Sequence, residues 1–180
     1  MSWRRYKRAA ANRQPVRAAA LLRYAAPMNI PLQIAYRLRR FVFRVLRVRT
    51  RGVKAMVFNG AGELLLIRNS YGPTHLFVLP GGGIGRRESP DAAAAREVKE
   101  ETGLEVRDLV FVGCHANTSE GKRDTIHLFT ARADGEPNAD AMEVAEARFF
   151  PLDALPDNVS RATLRRLAEL RGERPGGGRW

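Results

Sequence analysis

The chain reads as a mixed α/β domain preceded by a basic extension, and three observations predict this. Short apolar runs of strand length recur between turn signals, at 53–58, 63–67, 76–79, 106–114, 125–133 and 147–150. A helix signature interrupts them at 90–102, and a second helical period closes the pattern at 160–171. The 180 residues leave room for one domain with a proper core plus extensions, but not for a second full domain.

The first two runs flank Asn59-Gly60-Ala61-Gly62 and read as a hairpin. The third ends at Pro80 and meets Gly81-Gly82-Gly83, which cannot comfortably continue a strand, so a loop must form there. Ser89-Pro90-Asp91 and the four alanines after it supply a capping side chain, a proline at the first helical position and an acid in the first turn. A helix is therefore expected from about 90 to 102, with Gly103 as its stop. The alternation of Ile126, Leu128, Phe129 and Ala131 is imperfect, and the sheet is expected to be mixed. The second helix sets Leu164, Leu167, Ala168 and Leu170 on one side and Arg165, Arg166 and Arg171 elsewhere. The tail at 172–180, with Pro175-Gly176-Gly177-Gly178, is expected to be disordered, which leaves 51–171 as the folded domain.

Composition separates the extension from the domain. Of the net charge of +12, residues 1–54 carry 15 basic side chains and no acidic one; the remaining 126 residues hold 16 basic and all 19 acidic groups, a balance of −3. Within the extension at 1–50 an amphipathic helix is expected at about 31–47, with Ile34, Leu38, Phe41, Val42 and Val45 on one face and Arg37, Arg40, Arg44 and Arg47 on another. Such a helix suits peripheral contact with an anionic membrane, a phosphorylated polymer such as RNA, or apolar packing on the domain with the arginines in water. The first 27 residues are Arg- and Ala-rich without acids, as in an organellar presequence, a flexible extension, or a chain whose true start is Met28. Arginine interrupts every apolar stretch before it reaches the roughly 18 residues of a bilayer span. The single Cys114, expected to be a small buried hydrophobe, excludes a disulfide framework and a cysteine zinc cluster and suits a reducing, cytoplasmic compartment.

Chemistry is concentrated at the glycine loop and the first helix. The order is Gly82, five residues, Glu88, seven residues, Arg96-Glu97-Val98, one residue, Glu100-Glu101, one residue, Gly103-Leu104. At ordinary residue frequencies, so specified a spacing arises by accident at roughly one site in 10⁸, so it demands a functional reading. On a helix Glu97, Glu100 and Glu101 share one face and repel each other. Alone, Glu-x-x-Glu-Glu is most simply a solvated acidic face; within this spacing it is a site for a hard divalent cation. Oxygen ligands without His or Cys select Mg²⁺ or Mn²⁺. The glycines let backbone groups lie close to metal and phosphate.

This spacing resembles the Nudix box at every specified position. The resemblance covers roughly 52–155, including Leu79-Pro80 before the loop and Glu143-Val-Ala-Glu146-Ala-Arg-Phe-Phe-Pro-Leu after it. It implies an α/β/α sandwich with a mixed sheet and a glutamate-rich catalytic helix, and hydrolysis of a phosphoanhydride bond in a nucleoside diphosphate linked to another moiety. It also implies Glu97, Glu100 and Glu101 as metal ligands, joined by the Gly81 carbonyl, with Arg96 orienting a box glutamate and Glu88 tying the loop to the helix. The general base is Glu100, Glu101 or a later glutamate, for which Glu143 is the choice. Glu143 is otherwise an exposed loop carboxylate, and Glu146 lies close enough in sequence to be confused with it.

Where the family often has tryptophan before Leu-Pro, this chain has Phe77-Val78. Arg68 and Phe77 are the first candidates to bind substrate, with Tyr71, His75, His115, Asn117 and His127 behind them; a surface or core position is the alternative for each. An ADP-ribose-like substrate is favoured over other small nucleotides, and homodimers are common in the family. The arginine-rich extension motivates a second activity, removal of pyrophosphate from an RNA 5′ end. From another functional class, a nucleotide-sensing or membrane-associated binding module would keep the fold without catalysis; the intact carboxylate set argues against it.

Overall fold

A computed structural model describes residues 49–117, 123–139 and 143–180. The expected amphipathic helix at about 31–47 lies outside the described residues. The elements run β1 (Arg49–Phe58), β2 (Leu64–Asn69), β3 (Phe77–Val78), α1 (Pro90–Thr102), β4 (Arg107–Asn117), β5 (Arg123–Arg132), β6 (Val144–Phe150) and α2 (Arg161–Leu170). The six strands form one mixed sheet in the order β3-β2-β1-β5-β4, with β6 also on β2. β1 and β5 pair in parallel from Arg49↔Arg123 to Phe58↔Arg132, and the other pairs are antiparallel.

Strand alternation places one helix on each face. Val53, Ala55 and Val57 of β1, Leu65 of β2 and Phe129 and Ala131 of β5 pack with Ala93, Ala94 and Val98 of α1. Met56, Leu64, Leu66 and Leu128 belong to the cluster that contains Leu167 of α2. Adjacent residues of one strand point to opposite faces, so the two clusters lie on opposite sides of the sheet. The result is the α/β/α sandwich. Burial on both faces explains why β2 reads as a continuous apolar run, with Leu64, Leu65, Leu66 and Ile67 all buried.

The hairpin forms but is short. Asn59 Oδ1 accepts from the amides of Ala61 (3.0 Å) and Glu63 (2.9 Å), closing the turn. Pairing of β1 with β2 is registered only at Phe58↔Leu64. The glycine loop bonds to β1 instead: Val53 N–H donates to Gly82 O (2.9 Å), Ala55 N–H to Pro80 O (3.0 Å) and Ile84 N–H to Arg51 O (3.1 Å). Parallel pairing with β5 extends β1 back to Arg49, and β4 and β6 likewise outrun their apolar runs because ladder partners are available.

Three expectations are corrected. Ser89 occupies the N-cap with extended backbone, but its hydroxyl caps no amide and bonds the Asp91 carboxylate, holding it below its usual range. Cys114 is exposed, its Sγ 3.4 Å from His127 Nδ1, because it lies on an edge strand of the sheet. The tail at 172–180 is not disordered: Trp180 N–H donates to Ala116 O (2.8 Å), Arg179 bridges to Ala116, and Trp180 packs against the α2-side core.

The docked tail is what buries Arg166, a residue that helical periodicity put on the polar side. Its guanidinium bonds His115 Nδ1, Glu169 Oε1 (2.7 Å) and Arg179 O (3.3 Å), with Trp180 stacked 5.7 Å from it. His115 accepts from Arg166, and burial together with the neighbouring guanidinium lowers its pKa, so the ring is held neutral. Removing one member of so buried a polar cluster leaves the others uncompensated. Arg166→Ala should lower stability by about 3 kcal/mol in urea unfolding, and an unchanged midpoint would show that the cluster does not hold the tail.

Candidate active site

Helix α1 presents its carboxylates because its other face is spent on the sheet. Ala93, Ala94, Val98 and Thr102 are buried, and Gly103, at φ 70°, ends the helix by donating to Lys99 O (2.8 Å). Glu97, Glu100 and Glu101 are thereby turned toward the glycine loop. With Glu143, which precedes β6, they line one cavity of about 230 Å³. Glu143 is fixed there by its carbonyl, which accepts from Ser70 N–H (2.9 Å).

Two glycines are required by contact. A Cβ on Gly81, whose φ is +132°, would stand 2.3 Å from Val53 O, a backbone atom that cannot give way. A Cβ on Gly82 would stand 2.4 Å from Glu97 Oε2 and displace that carboxylate. Gly81 also orients an acid, its amide donating to Glu101 Oε2 at 2.7 Å.

Arg96 binds loop and helix together. Its Nε and NH2 donate to the two oxygens of Glu88 (2.8 and 3.0 Å), and NH2 donates also to Gly83 O (3.0 Å). NH1 donates to Glu97 Oε1 (2.9 Å) and Glu100 Oε2 (2.8 Å). The guanidinium and the Gly85 amide hold the Glu88 carboxyl down to about 2. The same carboxylates raise the pKa of Arg96.

Burial acts oppositely on the acids that face the cavity. The Glu97 carboxyl is raised by desolvation against the pull of Arg96. Glu101 is pushed up to about 7, first by burial and then by Glu97 and Glu143, with Lys54 and the Gly81 amide opposing. Lys54 is the charged neighbour of these acids that sequence reasoning missed. Its Nζ donates to Leu79 O (2.8 Å) and Gly81 O (2.6 Å), and burial lowers its pKa while Glu101 and Glu97 raise it. Its signal was a lone charge inside the apolar run 53–57.

The cavity thus gathers Glu97, Glu100, Glu101 and Glu143, with Gly81, Gly82, Arg96 and Glu88 fastening them. It does not gather the two substrate candidates. Phe77 is 3% exposed and stacks edge-on to Phe150 in the α2-side core, which corrects its placement in a cleft. Arg68 is buried and donates to Glu146 Oε2 (3.3 and 3.2 Å) and Thr74 O (3.3 Å). That pairing separates Glu146 from Glu143. His115 lies under Trp180 rather than at the cavity.

Four carboxylates on one cavity are the donor type for a hard divalent cation. Among the described residues no three of them are already closed into a ligand shell. One Arg96 nitrogen bridges Glu97 and Glu100.

The fold and this spacing of acids define a Nudix domain, and the chain belongs to that family: the NUDIX domain model matches residues 48–170. A Mycobacterium tuberculosis protein named "Putative mutator protein MutT4" is 36% identical over 103 residues, 54% of this chain and 42% of that one. The NAD-capped RNA hydrolase NudC of Mycobacterium bovis is 38% identical over 103 residues, 56% of this chain and 32% of that one. The chain therefore spans less than half the length of either relative. The crystal structure of a MutT NUDIX hydrolase from Burkholderia pseudomallei superposes with a TM-score of 0.60 at 26% identity, covering 68% of this chain and 98% of that one. No helix among the described residues is long and apolar enough to cross a membrane.

The raised Glu101 has a stability signature. Its folded pKa of about 7 exceeds the ordinary 4.5, so the folded state holds the extra proton and loses stability as pH rises through that window. Glu101→Gln keeps an acceptor for the Gly81 amide without the buried charge. In chelator it should melt above the wild type at pH 8, with the gap closing toward pH 4; equal melting at pH 8 would rule out the buried charge.

Proposed function

We propose that this chain hydrolyses a phosphoanhydride bond in a nucleoside diphosphate linked to another moiety, using Mg²⁺ or Mn²⁺ bound by Glu97, Glu100 and Glu101. The observation that carries this reading is the single cavity lined by these three acids and Glu143. The cation supplies charge neutralisation for the phosphate oxygens and lowers the pKa of water. The chain's own residues do the rest. Arg96 positions Glu97 and Glu100, and Gly81 positions Glu101 through its amide. Those three carboxylates are committed to holding the cation, so Glu143 is assigned as the base that takes the proton of the attacking water. Glycines at 81 and 82 keep the floor of the site free of side chains, which suits close approach of a diphosphate.

The substrate in this proposal is an ADP-ribose-like diphosphate. An RNA 5′ end is the second reading, favoured by the 15 basic and no acidic side chains in residues 1–54 and by the likeness to an NAD-capped RNA hydrolase.

Turnover of a panel of ADP-ribose, dinucleoside polyphosphates, nucleoside triphosphates and 5′-triphosphorylated RNA, with Mg²⁺ or Mn²⁺, tests the reading. Glu101→Gln should lose 10²-fold or more, roughly 3 kcal/mol, and chelator should abolish the wild-type rate. Glu143→Gln should lower kcat with Mn²⁺ affinity unchanged. Nucleotide binding without metal-dependent turnover would instead indicate a sensing module.

A further inference from the structure

One basic side chain held against the glycine loop has no place in the scheme above. Lys54 is the only charge in the apolar stretch of β1 from Val53 to Val57, and its chain runs to the turn that begins the glycine loop. We propose that Lys54 is a resident cation of the site, its ammonium taking at the Gly81 carbonyl the position that the family resemblance gives to a metal ion.

The geometry carries this in three steps. The ammonium makes its shorter bond, 2.6 Å, to Gly81 O and its longer one, 2.8 Å, to Leu79 O, so the turn is clamped from both ends of Leu79-Pro80-Gly81. A divalent ion bound to the same Gly81 oxygen at roughly 2.1 Å would lie within about 4 Å of that ammonium, where the two cations repel strongly even at an intermediate dielectric. The Lys54 ammonium on the Gly81 carbonyl therefore disfavours a metal on the same oxygen and shifts metal binding toward the carboxylate side of the cavity. On the other side of the same residue, the Gly81 amide donates to Glu101 Oε2 at 2.7 Å. The two held carbonyls, Leu79 and Gly81, flank the Pro80–Gly81 peptide whose N–H orients Glu101, so the clamp restrains that amide from both sides. Lys54 is a positioning residue for Glu101 and a substitute for one cation, with no contact to the reacting atoms assigned to it.

This inference rests on the reading that Glu97, Glu100 and Glu101 hold a divalent ion, and its test separates the two. Mn²⁺ is titrated into the full chain and followed by calorimetry and by the electron paramagnetic resonance of free Mn²⁺, for the wild type, Glu101→Gln, Lys54→Met and Lys54→Gln. Removing the ammonium charge should give one further Mn²⁺ equivalent, or binding tighter by at least about ten-fold. Lys54→Gln keeps a donor for the Gly81 carbonyl and loses only the charge, so it carries the test if Lys54→Met does not fold. If the wild type binds Mn²⁺ and Glu101→Gln weakens it, while both Lys54 variants match the wild-type isotherm, the Lys54 inference fails and the metal reading stands. A lower melting temperature of the Lys54 variants with unchanged Mn²⁺ binding would reduce Lys54 to a structural strut and overturn it equally. A wild type that binds no Mn²⁺ at all removes the metal reading and this inference together.

Discussion

Four carboxylates that share one cavity repel each other, and the organisation of the site follows from how that repulsion is managed. Arg96 answers it on the loop side, reaching Glu88, Glu97 and Glu100 with one planar group. Lys54 answers it from β1, within electrostatic reach of Glu97 and Glu101. The two cations differ in kind. A guanidinium spreads donors in a fork that can hold several acids in register, whereas an ammonium is a compact point charge that suits a pair of carbonyls. Glu101, the most desolvated of the acids, remains unrelieved enough that its carboxyl is pushed up to about 7.

The backbone makes this arrangement possible. Because residues 80–84 pair with β1 instead of leaving that edge to β2, the glycine loop is held at ladder distance from the sheet, against the helix that follows it. Gly81 must then tolerate a positive φ beside Val53 O, and Gly82 must leave space for the Glu97 carboxylate. Both faces of the sheet contribute to rigidity. The α1 face anchors the carboxylate helix, and the α2 face is closed by a C-terminal segment whose Trp180 covers the buried Arg166 and His115.

Much of the site was legible in the sequence because helix geometry converts spacing into shared direction. Glu97, Glu100 and Glu101 at three- and four-residue intervals fall on one face whatever surrounds them. The bounds of α1 were readable from Pro90 and Gly103 for equally local reasons, a fixed φ at the start and a left-handed residue at the end. Glu143 was harder, since nothing local distinguishes it from Glu146; only the pairing of Glu146 with Arg68 does so. Phe77 failed as a substrate residue because its burial depends on Phe150, more than seventy residues away.

By itself, then, the sequence determined helix α1 and the three acids it carries toward the cavity, which rest on interactions among neighbours a few residues apart. Tertiary structure alone decided which carboxylate joins the cavity from outside the helix, which polar side chains are buried, and that Lys54 belongs to the site. The physical reason is distance along the chain. Lys54 reaches Gly81, Arg166 reaches His115 and Trp180 reaches Ala116 only after the sheet has brought them together, and composition assigned the last residues to disorder.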